Sequence, residues 1–276
     1  MSLFVQTNIA SLNAQNAFAK NEIALNKTYQ QLSTGYRINS AGDDAAGLGI
    51  AKRMTAQVDD YSTASSNAND AVSMTQTADG GAEQISDILD RLSQLAVEGA
   101  NGTMSAADSS NLNTEFQAQL AEIDQIANTT DFNGVNLLAG ASTTINFQVG
   151  ISNTANDQVG VAFGGVSVSA LGLSGVGVST AAASSAAIAA IATAINTLST
   201  TRATYGAAED QFQSIVSNLS SISSNTSAAL SQIQDVDVAS ATASLAQEQV
   251  LTQAGESVLS QANQTPQLAE SLIQGH

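Results

Sequence analysis

Residues 188–233 read IAAIATAINTLSTTRATYGAAEDQFQSIVSNLSSISSNTSAALSQI, and one set of positions recurs through them at alternating steps of three and four. These are Ile188, Ile191, Ile195, Leu198, Arg202, Tyr205, Glu209, Phe212, Val216, Leu219, Ser223, Thr226, Leu230 and Ile233. A repeat of 3.5 residues lays them along one stripe of a helix, the pattern of a coiled-coil seam. At 1.5 Å per residue the stretch makes a rod of about 69 Å, too long for a compact globule and suited to a bundle or filament.

Upstream of the seam the period changes. Ile145-Asn-Phe147-Gln-Val149, Val159-Gly-Val161-Ala-Phe163 and Val166-Ser-Val168 alternate with a period of two, so short strands or hairpins are expected between Ile145 and Val178. Further back the helical period returns. Leu112, Phe116, Leu120 and Ile123 mark a helix over about 106–128. A longer one is expected from about Asp44 to Gly99, with Met54, Val58, Tyr61, Ala68 and Val72 in one frame and Ile85, Ile88, Leu92 and Leu95 in another. The frame shifts near Gly80-Gly81, where a kink or stutter is expected.

The two ends carry thinner stripes. From about Asn8 to Gln31, Phe18, Leu25 and Leu32 lie seven residues apart among Ala and Asn. A last helix begins within Asp235–Asp237 and carries Leu251, Val258 and Leu272 on one seven-residue register. These stripes predict a mainly α fold of long antiparallel helices and a terminal coiled coil, an elongated bundle with a small β-hairpin region in its middle. Periodicity alone fits an ordinary antiparallel four-helix bundle equally well.

Composition removes much chemistry. With no Cys, thiolate metal sites, disulfides and Cys nucleophiles are impossible, and the single His is the last residue, His276. Seven Lys and Arg against 24 Asp and Glu, a formal charge of -17, disfavour a nucleic-acid surface. No catalytic, cofactor-binding or metal-binding residue is assigned. The charge is also polarised: residues 1–42 hold three cations and one acid, whereas residues 235–276 hold five acids and no Lys or Arg. The ends can therefore attract each other or a second copy. The N-terminus lacks the basic and apolar regions of a cleavable signal, and no stretch reads as a membrane span.

At residues 32–51 the chain reads LSTGYRINSAGDDAAGLGIA, which resembles the hallmark segment of bacterial flagellins. The likeness continues in NANDAVSMTQT from Asn67, LAVEGANGT from Leu95, EIDQIANTTDFNG from Glu122, and, near the other end, SQIQDVD from Ser231 and QANQTPQ from Gln261. It covers roughly residues 1–140 and 185–276. Where the family commonly has Lys, Gly42 stands here.

The resemblance implies a short family member without large outer domains. Residues 1–42 and 235–276 would form the helices of an inner tube, 43–140 and 183–234 a surrounding helical layer, and 141–182 the small β region. It implies a structural subunit of the flagellar filament, the propeller for swimming, secreted without a cleaved leader and building a helical homopolymer. Implied partners are the hook-filament junction proteins, the filament cap, an export chaperone at the C-terminal helix and the flagellar type III export apparatus, with no nucleic acid and no membrane insertion. Arg91, Leu95 and Glu115 match positions through which some flagellins engage Toll-like receptor 5. A hook-filament junction protein is the nearest alternative, and a secreted helical effector or binding protein is the alternative from another class.

Two sets of side chains are therefore expected to matter. Leu12, Phe18, Leu25, Leu32, Leu251, Val258, Leu268 and Leu272 are assigned to subunit packing. Arg37, Asn39, Ser40, Asp43 and Asp44 form the hallmark turn, in which the paired carboxylates are read as turn and helix-cap groups. Arg37 is close enough in sequence to clamp that turn or a neighbouring subunit.

Overall fold

The computed structural model describes residues 7–274, with side chains through Gln264, so Leu268 and Leu272 lie outside the described residues. Five helices carry most of the chain: α1 (Ile9–Thr34), α2 (Ala45–Gly99), α3 (Ala106–Thr129), α4 (Ala181–Gln234) and α5 (Val238–Gln274). Between α3 and α4 lie two antiparallel hairpins, β1–β2 (Asp131–Phe132, Val135–Asn136) and β3–β4 (Thr143–Gln148, Gln158–Phe163). The chain forms two compact units. One takes the chain up to Ala56 and from Asn225 onward, and the other is Gln57–Ser224, so the boundaries fall inside α2 and α4.

In the central unit the seam of α4 is buried at every seventh residue: Ile191, Leu198, Tyr205, Phe212 and Leu219 are all in the core, while Ile188, Ile195 and Val216 are partly covered. The facing stripe of α2 is built from Ala68, Ala71, Ala78 and Ala82 before it becomes Ile85, Leu89, Leu92 and Leu95. Alanine on one side and larger residues on the other let the two stripes interlock. From α3, Leu112, Phe116, Leu120 and Ile123 complete it. The helix starts at a capping box between Ser105 and Asp108, and the Ser105 hydroxyl, with its backbone N–H, donates to the Asp108 carboxylate and holds it below its usual range.

The β3–β4 hairpin sits where the period of two was expected, with one difference, while β1–β2 lies ahead of that stretch. Strand β4 alternates outward and inward, so Val159, Val161 and Phe163 enter the core, with Ile145 opposite Val161 and Phe147 opposite Val159. Phe147 meets Phe212 edge-on at 5.4 Å, and Phe163 stacks on Tyr205 at 5.6 Å, which fixes this face on α4. The stretch Val166-Ser-Val168 is not a strand. Its valines are buried, but their amides donate to Leu138 O and to the Asp124 carboxylate instead of to a neighbouring strand.

Gly80-Gly81 does not break α2, whose helix runs unbroken from Ala45 to Gly99. A Cβ at Gly81 would lie 2.7 Å from Leu138 Cδ1 and from Thr130 Oγ1. Glycine is there to let the segment after α3 come close, not to bend the helix. One further expectation is corrected: α4 contains a window of mean hydropathy 1.5, apolar enough by length and composition to cross a membrane. Much of that apolarity is alanine, and the inward face, Ser184, Ala187, Ile191, Ala194 and Leu198, belongs to the core.

Candidate assembly interface

The terminal unit pairs α1 with α5, and a series of side-chain hydrogen bonds ties the two helices together. Asn8 Nδ2 donates to Ala262 O (2.7 Å), Ser11 Oγ to Asn263 Oδ1 (2.8 Å), and Asn21 Nδ2 to both Glu248 O (2.9 Å) and Thr252 Oγ1 (2.7 Å). Thr28 Oγ1 reaches Glu248 Oε1, and Gln249 Nε2 reaches the Tyr29 hydroxyl. The buried residues of α1 are Ser11 and Thr28. Side-chain amides and hydroxyls thus set the register of the pair, in the way that buried polar groups specify pairing in coiled coils.

Several large apolar side chains of the same helices are exposed. Leu12 is 50% exposed, Leu251 49% and Val258 56%, and Ile9, Ile23, Val238 and Val250 are exposed as well. Phe18, Leu25 and Leu32 are half-buried. Between the helices Phe18, Leu251 and Val258 line an open apolar groove of about 540 Å³, with Lys20 at its edge. A helix pair tied by hydrogen bonds that leaves an apolar groove and large apolar side chains open presents the kind of surface that gets covered.

The hallmark turn joins the two chain ends of this unit. Gly35, at φ 76°, ends α1 in the left-handed conformation. Tyr36 then pairs with Asp235 in an antiparallel bridge: Val236 N donates to Gly35 O (2.9 Å) and Arg37 N to Gln234 O (2.7 Å). Arg37 Nη2 donates to Ile233 O at 2.6 Å, so this side chain closes the end of α4 and does not clamp its own turn. The clamp is Lys27, whose Nζ lies 2.8 Å from Asp43 Oδ1.

Asp43 also accepts from Asn39 N, Ser40 N and Ser40 Oγ through Oδ2. With Lys27 contributing most and Ser40 next, its pKa falls from 3.8 to about 2. Asp44 acts differently, its Oδ1 accepting from Gly47 N at 2.8 Å and so capping α2. Ile38, the buried residue of the turn, packs against Gly47, where a Cβ would come within 2.7 Å of Ile38 Cδ1. Among the described residues no ion pair joins α1 to α5, so the opposite charges of the two ends do not neutralise each other there.

In the central unit Arg91 and Glu115 find each other, with Nη2 to Oε1 at 2.6 Å, on an exposed surface. Leu95 lies beneath, 1% exposed and part of the core.

Family models now give this arrangement its context. The bacterial flagellin N-terminal helical region matches residues 5–143, and the bacterial flagellin C-terminal helical region matches residues 188–273. The flagellin of Listeria monocytogenes is 36% identical over 284 residues, covering 98% of this chain and 99% of that protein. The chain belongs to the bacterial flagellins. The flagellin of Bacillus subtilis is 35% identical over 98% of this chain and 99% of its own, and that of Halalkalibacterium halodurans 34% over 98% and 100%. This flagellin is accordingly a structural subunit of the extracellular flagellar filament, and near-complete coverage of relatives of this length makes it a short one.

Several residues that build the flagellin's terminal unit escape a reading by apolar period. Asn21, Thr28 and Glu248 hold the α1–α5 pair, and Lys27 holds the turn. Each is polar, and polar residues carry no periodic signal that separates a seam from a solvated face.

Proposed function

We propose that this flagellin polymerises through the outward apolar face of its terminal helix pair, with Leu12, Phe18, Leu25, Leu32, Leu251 and Val258 packing against neighbouring copies; Leu268 and Leu272, outside the described residues, are proposed to extend it. The observation that carries this reading is the apolar surface that the pair leaves open. Asn, Ser, Thr and Glu side chains tie its two helices together, while Leu12, Leu251 and Val258 stand about half exposed along an open apolar groove. Covering one such side chain is worth about 1.5–3 kcal/mol, and a helical array repeats that gain at every subunit.

On this reading residues 1–42 and 235–276 make the inner tube, 43–140 and 183–234 the layer around it, and 141–182 a small β elaboration. The hallmark residues Arg37, Asn39, Ser40, Asp43 and Asp44 fix how the terminal segments enter and leave the tube. The subunit itself carries out no catalysis. Its partners are the hook-filament junction proteins, the cap, an export chaperone at α5 and the type III export apparatus. Toll-like receptor 5 is a further partner, with Arg91 and Glu115 offering a charged surface and Leu95 supporting it from the core.

Seeded assembly tests the reading. Wild-type chain should pellet as filaments above a critical concentration, whereas Leu12→Asp combined with Leu251→Asp should stay soluble with the helicity of Gln57–Ser224 retained. Filaments of normal yield from that variant would overturn it.

A further inference from the structure

The sequence contains two Asn-Gly dipeptides, Asn101-Gly102 in the α2–α3 connection and Asn133-Gly134 in the β1–β2 turn. This dipeptide is where a backbone amide most easily attacks the preceding side-chain amide, because glycine has no Cβ to shield the nitrogen or restrict its approach. The fold holds the two in opposite ways.

At the first site, Asn101 and Gly102 are both exposed, and a Cβ built at Gly102 would meet nothing within 4 Å. Asn101 Oδ1 accepts from Thr103 N at 3.3 Å, an Asx turn that folds the side chain over the next peptide and polarises its carbonyl. Among the described residues Gly102 N makes no hydrogen bond. The nucleophile is free, and the Asx turn folds its target toward it.

At the second, Asn133 (φ 51°) and Gly134 (φ 79°) both occupy the left-handed region and close an antiparallel pair in which Phe132 opposes Val135. Gly134 N points to Asp131 Oδ1 at 3.4 Å. The hairpin is anchored from behind by Asn136, whose Nδ2 donates to Ala127 O and Asn128 O. Closing a ring through Asn133 would require the turn to leave this conformation and the hairpin to open.

We infer that Asn101 is a site of spontaneous deamidation in the folded flagellin and that Asn133 is protected by its turn. The Gly102 nitrogen, giving up its proton, attacks Asn101 Cγ; the new C–N bond closes a succinimide and the side-chain amide leaves as ammonia. Water then opens the ring at either carbonyl, leaving aspartate or isoaspartate at position 101. The new carboxylate stands just past the C-terminus of α2, where Ala96 O and Glu98 O accept from Ala100 N and Asn101 N, so it opposes the helix dipole. Isoaspartate lengthens the main chain there and removes the Asx turn.

Peptide mapping by mass spectrometry, with isoaspartate and aspartate products separated, decides the matter when the full native chain and the chemically unfolded chain are aged side by side in mildly alkaline buffer. In the native chain the product should accumulate at 101 well ahead of 133, whereas unfolding should bring the two sites to comparable rates. Gly102→Ala should slow the native reaction at 101 several-fold. Equal or faster reaction at 133 in the native chain, or an inert 101 where the unfolded chain reacts, would overturn the inference.

Discussion

Arg37 closes the C-terminal end of α4 with two groups at once, its guanidinium on Ile233 O at 2.6 Å and its backbone N–H on Gln234 O at 2.7 Å. The last carbonyls of a helix have no partner within the helix, and a cation there meets the negative end of the dipole. Because the side chain is exposed, its contribution is set at about 1 kcal/mol. Arg37→Ala should lose that amount and speed amide exchange at Asp235 and Val236 without touching the central unit. Hydrogen exchange resolved by residue checks it.

Arg202 is the only Lys or Arg beyond residue 91, and it forks onto Asp79, with Nε to Oδ1 at 2.8 Å and Nη2 to Oδ2 at 3.2 Å. The pair interrupts the apolar seam of α4 at a half-buried position, and Asp79 holds the guanidinium above its ordinary pKa. A double-mutant cycle with Arg202→Met and Asp79→Asn should return a coupling of about 1 kcal/mol, larger than that of a fully exposed pair.

Gly81 has no room for a side chain beside Leu138 and Thr130. Gly81→Val should therefore cost about 1–3 kcal/mol by overpacking, even though valine removes a glycine from a helix interior. A substitution at Gly80, where a Cβ meets nothing within 4 Å, is the control: Gly80→Ala should be neutral or stabilising. Thermal unfolding of both variants separates crowding from helix propensity.

This pair of glycines also marks what the sequence can and cannot tell. The seam of α4 was legible because a 3.5-residue repeat of large side chains has one geometric solution, and Ile191 through Leu219 occupy it. The ends of α2 and α3 were legible from Asp, Ser and Gly at their boundaries. Apolar period says that a residue will be covered but not by what, so Leu251 and Val258, read as a packing stripe, stand about half exposed while Asn21 and Thr28 bond across the intrachain contact. Long-range partners such as Lys27 for Asp43 and Arg37 for Ile233 depend on how separate elements dock. The short β1–β2 hairpin has too few residues to carry a period, although its Asn133-Gly134 turn was in plain sight.

Tyr205 is fully buried, and among the described residues its hydroxyl makes no well-formed hydrogen bond, the Gly164 backbone N–H being its polar neighbour. Burial pushes its pKa from 10.0 up to about 12, against a weaker opposing pull from the Gly164 backbone amide. The neutral phenol is the form the fold favours. Its contribution to stability is complete below pH 10, where the unfolded chain is still protonated, and is lost as pH rises through about 12. Ultraviolet titration should show one late phenol, absent in Tyr205→Phe. The same variant should match or exceed the wild type at neutral pH by about 1 kcal/mol, because it removes a buried hydroxyl that makes no well-formed hydrogen bond.

The central claim is that side chains outward-facing in the subunit become covered when copies assemble, and the absence of any Cys makes it directly measurable. Val258→Cys places a lone thiol at a position 56% exposed in the isolated chain. Its reaction rate with a soluble thiol reagent should be fast for the monomer and strongly suppressed in sedimented filaments, while a cysteine at buried Ser11 stays slow in both. A Val258→Cys thiol that reacts as fast in the filament as in the monomer would contradict the account.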